Sequence, residues 1–480
     1  MNSPHPLLLE AQGRVCTGPH QSRPLGAKEN DPIQPEDVLR CIIEACSHTP
    51  SQDHPSKVQM GAFFTAMTIR RTFAGKTGWS EAERRAFSSH RQQLASTLPP
   101  ELLFLWEPQR GYTSTTTTHE TLIPYLQRIL SGQHLSYQDT LTALSAIQQP
   151  DCHDAFRAAV LIGQRMNIED EEEVKGYLDT VLPPENIRTL HIPSLTHFGE
   201  PYNGAKRYTR PRLFLAAIHA ALGRPCILHG VDTMAPKFGI TEEQIIHELG
   251  GQTHQNMEQT AQWLEDPSIG FAYVSQKTFS PAIYALKETR HHIKKRPPFA
   301  TTEKAQQLFR SDTFNATVIG FYHSGYEEKL LDLLWERGVD AGLTIKGCEG
   351  TAIYSLRSPT PSTPDKKTLN YTAGFRNVAG ERHSFSLDAD PAQYGLSLPH
   401  QPRLEPATAK EAASRCMKAL EGEEGYLYNQ LVWTAAMTDH LLGFVDNIEQ
   451  AIEEVKQVLT SGEAKKRLLR YIEATSKLSV

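Results

Sequence analysis

Apolar residues recur at helical spacing through the first part of the chain. The first run comprises Val38, Leu39, Ile42 and Ile43. Residues 61–71 repeat the pattern after a polar loop, which predicts a second helix. Ser80 and Glu83 have the spacing of a capping box, in which the two residues cap each other's backbone, so a third helix is predicted to begin after Ser80.

The same order of helices and loops occurs a second time. Residues 112–118 (YTSTTTT) are rich in hydroxyl side chains and lack apolar alternation, so they are predicted to form an exposed linker between two blocks. Aligning residues 61–64 with residues 154–157 also aligns the helices before and after them. We therefore predict an internal duplication of a helical unit.

The pattern changes after Pro184, where short apolar runs alternate with helical ones. These runs are residues 226–230, 270–275, 316–323 and 341–347. Such alternation is typical of a parallel sheet covered by helices. Residues 355–383 begin rich in Pro, Ser and Thr and are predicted to form a surface excursion, and residues 409–477 are predicted to be helical.

Together these patterns predict an α/β protein with a small all-helical N-terminal domain, whose helical unit is duplicated, and a large α/β domain with a mostly parallel sheet. Residues 1–34 lack apolar periodicity and are predicted to be a flexible tail. Residues 35–118 then form the extra helical unit and linker, residues 119–186 the second helical domain, and residues 187–480 the α/β domain. A segment at about residues 279–312 is predicted to pack back on the helical domain.

The composition is that of a folded protein. Hydrophobic residues make up 39% of the 480 residues and charged residues 22%. A formal net charge of −6 argues against a protein that coats nucleic acid by bulk charge, but leaves a local basic site open. The apolar runs are shorter than the roughly 20 residues that span a bilayer, no secretory signal is evident, and the 7 cysteines form no C-x-x-C pair. We predict a cytoplasmic protein without membrane contact, disulfides or zinc.

Three charged segments are candidates for binding chemistry. Residues 197–207 precede a helical pattern, which places backbone N–H groups and cations where phosphate binds well. Residues 228–239 follow a predicted strand and contain Lys237, and loops at the carboxyl ends of parallel strands commonly bind ligands. Residues 290–296 (RHHIKKR) are the third. The plainer alternatives are an ordinary loop, a structural His229 and a solvated helix face.

The order of motifs resembles the anthranilate phosphoribosyltransferase family, part of the nucleoside phosphorylase and phosphoribosyltransferase superfamily. GEPYNG (199–204) stands where the family has GTGGDG, and LHGVDTMAPKFG (228–239) stands where it has KHGNRSVSSKSG. RAAVLIGQRMNIEDEEEV (157–174) and VIGFYH (318–323) keep the family's order. The resemblance implies phosphoribosyl pyrophosphate, Mg²⁺ and an aromatic acceptor bound in a basic cleft between a helical and an α/β domain, and a homodimer.

The resemblance also assigns ligand-binding roles. Gly199 and Gly204 match the ends of the family's pyrophosphate loop, and Lys237 matches its phosphate-binding lysine. The candidate phosphate- and substrate-binding residues are Gly199, Asn203, Gly204, Lys206, Arg207, His229, Gly230, Lys237, Arg290 and Arg296. No catalytic residue and no metal ligand is assigned.

The departures from the family concern the metal. Ala352 and Ile353 stand where the family carries the Asp–Glu pair that holds Mg²⁺, and neither supplies the hard oxygen ligand that the ion needs. Asn203 replaces the loop aspartate as well. A magnesium cofactor would therefore need a replacement ligand, for which Glu200 and Glu349 are the candidates.

Two functions from different classes follow, and the sequence leaves open whether the protein is an enzyme. The first is a divergent glycosyltransferase or phosphoribosyltransferase-like protein that binds a phosphorylated small molecule, with an eroded magnesium-diphosphate site. The second is a non-catalytic protein that binds nucleic acid or another polyanion, because GEPYNGAKR resembles a divergent branch in which some members bind nucleic acid. A partner-binding role for the extra helical unit is a third hypothesis. Positive charge in the first loop is predicted to come from Lys206, Arg207, Arg210 and Arg212.

Overall fold

The chain forms two compact units. The computed structural model describes residues 3–28, 30–49, 51, 53–400, 402 and 408–478. The first unit, which we call the helical unit, comprises Met1–Val181 and Ala282–Thr302; the second, the α/β unit, comprises Leu182–Pro281 and Glu303–Val480. Across the described residues, no helix combines the length and the apolar character that a membrane span requires.

The helical unit begins with a series of α-helices. They are α1 (Pro6–Val15), α2 (Pro35–Ser47), α3 (Lys57–Ile69), α4 (Glu81–Ser89), α5 (Arg91–Thr97), α6 (Pro100–Trp106), α7 (Thr117–Leu130), α8 (Tyr137–Gln148), α9 (Asp154–Asn167) and α10 (Glu171–Val181). The predicted capping box is present at the start of α4: the Glu83 N–H donates to Ser80 Oγ (3.0 Å) and the Ser80 N–H donates to Glu83 Oε2 (2.7 Å).

The predicted tail is wrong over α1. The apolar face of this helix is buried and comprises Leu8, Ala11 and Val15. Gln12 Nε2 on the same face donates to the carbonyl oxygen of Gln59 in α3 (3.1 Å). These positions have helical spacing, but the Pro, Gly and Ser residues around them obscure it in the composition. Residues 1, 2 and 29 of the predicted tail lie outside the described residues.

Helices α3 and α9 pack directly against each other. A Cβ atom at Gly61 in α3 would lie 2.6 Å from both the Cα and the carbonyl oxygen of Ala155 in α9, so only glycine permits this approach. Tyr112, in the predicted linker, packs its ring on Phe156 of α9 with 5.3 Å between centroids, which anchors that end of the linker. The two helices are the pair that the proposed duplication aligns, and the duplication itself stays a prediction.

The α/β unit follows. Its first part contains β1 (Arg188–Leu190), β2 (Ser194–Gly199), α11 (Arg212–Ala221), β3 (Cys226–Gly230), α12 (Glu242–Glu248), α13 (Met257–Glu265), β4 (Phe271–Ser275) and α14 (Gln276–Phe279). The chain then forms α15 (Pro281–Ala285), α16 (Lys287–His291) and α17 (Phe299–Thr302). Ala282–Thr302 groups with the helical unit, where the Phe299 ring meets the Tyr177 ring at 4.6 Å between centroids.

The second part of the α/β unit completes the sheet and adds a helical end. Its elements are β5 (Phe309–Ser311), β6 (Phe314–Gly320), α18 (Tyr326–Glu336), β7 (Ala341–Ile345), β8 (Tyr371–Val378), β9 (Glu381–Asp388), α19 (Ala409–Leu420), α20 (Tyr426–Leu442), α21 (Ile448–Ser461) and α22 (Glu463–Ser476). The last four helices agree with the helical end predicted from the sequence.

One sheet of seven strands has the order β4-β3-β2-β6-β7-β8-β9. The strands from β4 to β7 pair in parallel, and β8 pairs antiparallel with both β7 and β9. Strands β1 and β5 form a separate parallel pair. The predicted α/β class with a mostly parallel sheet is confirmed.

Strand β2 is among the elements that sequence patterns missed, although it lies in the middle of the sheet. All of its residues are buried, but its sequence SLTHFG contains no long apolar run. The Nε2 atom of the buried His197 accepts a hydrogen bond from the Leu308 N–H (3.0 Å). A polar residue with a dedicated hydrogen bond thus occupies a position where a pattern search expects an apolar one.

The sheet brings four loops to one edge. Parallel strands end at the same side, so residues 200–211 after β2, 231–241 after β3, 321–325 after β6 and 346–370 after β7 lie at the carboxyl edge. Helix α11, which follows the first loop, packs on β3 and on α20, α21 and α22. The first loop is therefore held at both ends by buried elements.

The α3–α9 contact gives a test of the packing. We expect Gly61→Ala to destabilise the protein by about 1–3 kcal/mol, because the added methyl group meets backbone atoms that cannot rotate away. Gly13→Ala is the matched control, since its Cβ would lie 3.5 Å from the Lys294 side chain and the change removes only a mid-helix glycine. Thermal unfolding followed by circular dichroism measures both. Equal midpoints for Gly61→Ala and the wild type would contradict the packing.

Candidate functional site

The loops after β2 and β3 are tied together by their backbones. The Ala205 N–H donates to the Ile240 carbonyl oxygen (2.9 Å), and the Ile240 N–H donates back to Ala205 (2.8 Å). Gly204 has φ +70°, and a Cβ there would lie 2.3 Å from the carbonyl oxygen of Gly239. Gly204 and Gly239 therefore permit the close approach of the two loops. The resemblance assigns Gly204 to ligand binding, and this contact gives a structural reason for a glycine at the same position.

Beside this contact, four donors converge on one carboxylate, that of Glu349. Its Oε2 atom accepts the backbone N–H groups of Lys206 (3.1 Å), Arg207 (2.8 Å) and Tyr208 (3.2 Å). Its Oε1 atom lies 3.1 Å from Lys237 Nζ. We call the three N–H groups and the Lys237 ammonium the anion nest. The first loop thus presents its donors to an anion, and the chain itself supplies that anion.

Glu349 takes an unusual conformation to reach the nest. It has φ 57° and ψ 18°, a left-handed conformation that costs an L residue other than glycine about 1–2 kcal/mol. Its side chain is only 3% exposed. Burial by itself would raise the pKa of Glu349, but the Lys237 ammonium and the Arg207 N–H outweigh it, and the pKa is lower than usual. The carboxylate is therefore ionised at neutral pH.

A second buried carboxylate, Glu200, fixes the start of the same loop. Glu200 Oε1 lies 3.0 Å from Arg212 Nε, and both of its oxygens accept the Ala352 N–H at 3.2 Å. Arg210 lies 2.7 Å from Glu242 and is likewise buried. The prediction that Arg210 and Arg212 add to the positive charge of the loop is wrong, because their guanidinium groups form ion pairs inside the unit.

The residues at the family's metal-binding positions, and the two candidate replacements, do not fit a magnesium ion in this arrangement. Ala352 and Ile353, which stand at the family's acidic positions, are buried and offer no side-chain oxygen. The two possible replacement ligands, Glu200 and Glu349, are each held by an arginine or lysine and by backbone N–H groups. Both candidate replacement carboxylates are therefore already engaged by protein groups in this arrangement.

His229 and Gly230 lie at the carboxyl end of β3. His229 is buried, and its Nδ1 atom forms a hydrogen bond with Tyr202 Oη (2.7 Å). Burial lowers the pKa of His229 to about 4, so the ring is neutral at physiological pH. A Cβ at Gly230 would lie 3.1 Å from Tyr273 Oη. Both positions thus have partners within the unit. For His229, this agrees with the alternative of a structural histidine.

The remaining predicted site residues lie in different surroundings. Asn203 and Gly199 are buried, and a Cβ at Gly199 would lie 1.8 Å from the carbonyl oxygen of Lys304. Arg290 and Arg296 belong to the helical unit, where Arg290 is buried in α16 and Arg296 is exposed. The structure thus brings together Asn203, Gly204, Lys206, Arg207 and Lys237 around the tied loops.

The basic stretch at residues 290–296 also has local partners in the helical unit. Lys294 Nζ lies 2.9 Å from a carboxylate oxygen of Glu10 in α1. His292 Nδ1 forms a hydrogen bond with Ser56 Oγ (3.1 Å) just before α3. These contacts give part of the stretch a packing role.

A three-residue group in the helical unit has the composition of a metal site, namely His134, Asp170 and Glu173. Glu173 Oε2 lies 2.8 Å from His134 Nδ1, but the same carboxylate accepts the N–H groups of Leu135 and Asp170, both at 3.1 Å. The hydrogen bonds within the unit account for this arrangement, and we assign it no metal.

A cleft of about 560 Å³ opens beside the anion nest, within the α/β unit. We call it the basic cleft, because the cations that line it are Arg207, Lys346, Lys366 and Lys367. Among its described lining residues the one carboxylate is Glu349, which is bound in the nest. The cleft therefore carries a net positive charge although the whole chain is acidic.

Aromatic rings lie among these cations. Lys346 Nζ lies 5.5 Å from the centroid of Phe321 and 5.6 Å from that of Tyr322, and Lys367 Nζ lies 4.5 Å from that of Tyr371. Tyr322 itself is 50% exposed. Burial lowers the pKa of Lys346. The ring faces attract these cations electrostatically and so favour the positions that the lysines take beside the cleft.

Sequence reasoning did not select most of the basic cleft. Lys346 follows directly after a strand that was predicted, and its position at a strand end was an available signal. Lys366 and Lys367 stand in the Pro-rich excursion, which gave no indication that this segment folds over the carboxyl edge.

Anthranilate phosphoribosyltransferases are among the known proteins that this chain resembles in sequence and fold. No family model matches the chain. The enzyme of Pelotomaculum thermopropionicum is 24% identical over 355 residues, which cover 74% of this chain and 96% of the relative.

Solved structures agree. The anthranilate phosphoribosyltransferase of Thermus thermophilus has a TM-score of 0.57 at 19% identity and covers 73% of this chain and 98% of its own. That of Saccharomyces cerevisiae in complex with PRPP and Mg has a TM-score of 0.59 at 17% identity, covering 75% and 99%. The resemblance predicted from the motifs is confirmed: the chain is similar in sequence and fold to anthranilate phosphoribosyltransferases over about three quarters of its length.

Proposed function

We propose that the protein binds a phosphorylated ligand in the basic cleft, as a divergent phosphoribosyltransferase-like protein without the magnesium-diphosphate site. The observation that carries this proposal is the charge of the cleft, where four cationic side chains face a single carboxylate that is already ion-paired. Arginine and lysine at such positions bind phosphate oxygens by charge-assisted hydrogen bonds. The yeast relative is in complex with PRPP and Mg, which makes phosphoribosyl pyrophosphate the first ligand to test here.

Binding without magnesium distinguishes this proposal from the chemistry that the resemblance implies. Metal-assisted departure of pyrophosphate needs an ion held by oxygen ligands. The buried Ala352 and Ile353 and the ion-paired Glu200 argue against such an ion. Any transfer reaction on this scaffold would depend on the cations of the cleft to stabilise the leaving phosphate.

The proposal predicts magnesium-independent binding. Calorimetric titration of the protein with phosphoribosyl pyrophosphate is expected to give dissociation constants that agree within about twofold with Mg²⁺ and with EDTA, because the two candidate ligands, Glu200 and Glu349, are already ion-paired. A cleft variant, Lys366→Ala with Lys367→Ala, should weaken binding about tenfold or more, since two charge-assisted contacts are lost. Binding that appears only with Mg²⁺ would contradict the proposal.

A second candidate function is the binding of single-stranded nucleic acid in the same cleft. The specific observation in its favour is that Tyr208 and Tyr322 line the cleft between the cations. Proteins that bind single strands combine a positive groove with aromatic rings on which bases stack. Phosphate contacts by the lysines and stacking on the half-exposed Tyr322 would supply both parts.

This alternative predicts a salt-dependent affinity. If Lys366 and Lys367 contact phosphates, replacing both by alanine should reduce the slope of log K against log salt by about 1.4, at about 0.7 for each single-strand contact. Lys465→Ala with Lys466→Ala is the matched control, because these lysines are also adjacent and exposed but lie in α22. Fluorescence anisotropy with a labelled oligonucleotide across a salt series measures the slopes. Equal slopes for the two double variants would exclude the cleft as the nucleic-acid site.

A further inference from the structure

The resident anion of the nest comes from a distant part of the chain. Glu349 follows β7, and the N–H groups that it accepts lie more than 140 positions earlier, after β2. Three consecutive N–H groups and an ammonium fill the acceptor sites of the two carboxylate oxygens. The same set matches the oxygens of a tetrahedral phosphate group, which carries more charge and an additional acceptor.

Glu349 also stands at the boundary between the nest and the basic cleft. Its side chain contacts the nest, and its residue lines the cleft. Arg207 Nε lies 3.7 Å from Glu349 Oε1 on the cleft side. Rotation of the Glu349 side chain into the cleft would therefore keep the carboxylate near a cation while leaving the nest vacant.

The backbone supports such a movement. Glu349 has a left-handed conformation, and Gly350, next to it, has φ +80°. A left-handed residue that is not glycine is held by its contacts, so loss of the contacts to the nest allows the segment to relax.

We infer that Glu349 is a built-in competitor, whose carboxylate has to leave the anion nest before the phosphate group of a ligand enters it. The nest then binds phosphate through the N–H groups of Lys206, Arg207 and Tyr208 and through Lys237. The inference rests on the proposed function in one respect, namely that the basic cleft delivers the phosphate group to the nest.

The test uses inorganic phosphate as the probe on the full-length chain. Calorimetry at constant ionic strength, balanced with chloride, compares the wild type with Glu349→Ala and Glu349→Gln. We expect Glu349→Ala to bind phosphate at least tenfold more tightly than the wild type, and Glu349→Gln to show an intermediate gain because an amide remains in place without its charge. Thermal unfolding of each variant reports whether it is folded, and the glutamine variant preserves the test if the alanine variant is not.

Two controls locate the effect. Glu381→Ala removes the same charge from an exposed side chain in β9 and should leave the phosphate affinity at the wild-type value. Adding Lys237→Ala to Glu349→Ala should abolish the gain, because the nest then lacks its ammonium.

The outcomes separate this inference from the proposed function. Phosphate affinities of both Glu349 variants within twofold of the wild type would overturn the competition, even if the wild type binds phosphoribosyl pyrophosphate in the cleft. A gain in the Glu349 variants supports the competition, even if the cleft lysines prove dispensable for phosphoribosyl pyrophosphate and the proposed function fails.

Discussion

A buried, ionised carboxylate needs a cation and hydrogen-bond donors beside it. This requirement determines how the loops at the carboxyl edge of the sheet are held together. Glu349 and Glu200 are both almost fully buried there. An unpaired buried charge would cost several kcal/mol, so each carboxylate needs a cation and N–H donors close to it. Lys237 and the first loop provide them for Glu349, and Arg212 and the Ala352 N–H provide them for Glu200. The two pairs fasten the loop after β7 to the loops after β2 and β3.

The same pairs occupy the segment in which the resemblance expects metal ligands. Ala352 contributes only backbone groups, and these bind Glu200 and Arg212 rather than an ion. The carboxylates at this edge thus hold the loops in position. The cations that line the basic cleft are Arg207, Lys346, Lys366 and Lys367.

Local patterns in the sequence predicted what depends on local interactions. The capping box at Ser80 and the apolar strand β3 are formed as predicted. Strand β2 and helix α1 were missed, since His197 and Gln12 occupy buried positions through hydrogen bonds made by residues far along the chain.

The candidate site also has a part that the sequence predicted and a part that it did not. Motif positions brought Lys206, Arg207 and Lys237 into consideration, and the structure does gather them. Their shared partner, Glu349, depends on which strands are neighbours in the sheet, and no spacing in the sequence carries that information.

In the proposed function, the cations of the basic cleft, rather than a metal held by carboxylates, bind the phosphorylated ligand. The most direct measurement is a crystal structure of the protein with phosphoribosyl pyrophosphate and Mn²⁺, with anomalous scattering used to locate the ion. We expect electron density for phosphate groups beside Arg207, Lys346 and the Lys366–Lys367 pair. We expect no anomalous peak for a manganese ion coordinated by Glu200 or Glu349. A manganese ion bound to either glutamate and bridging to the diphosphate would contradict it.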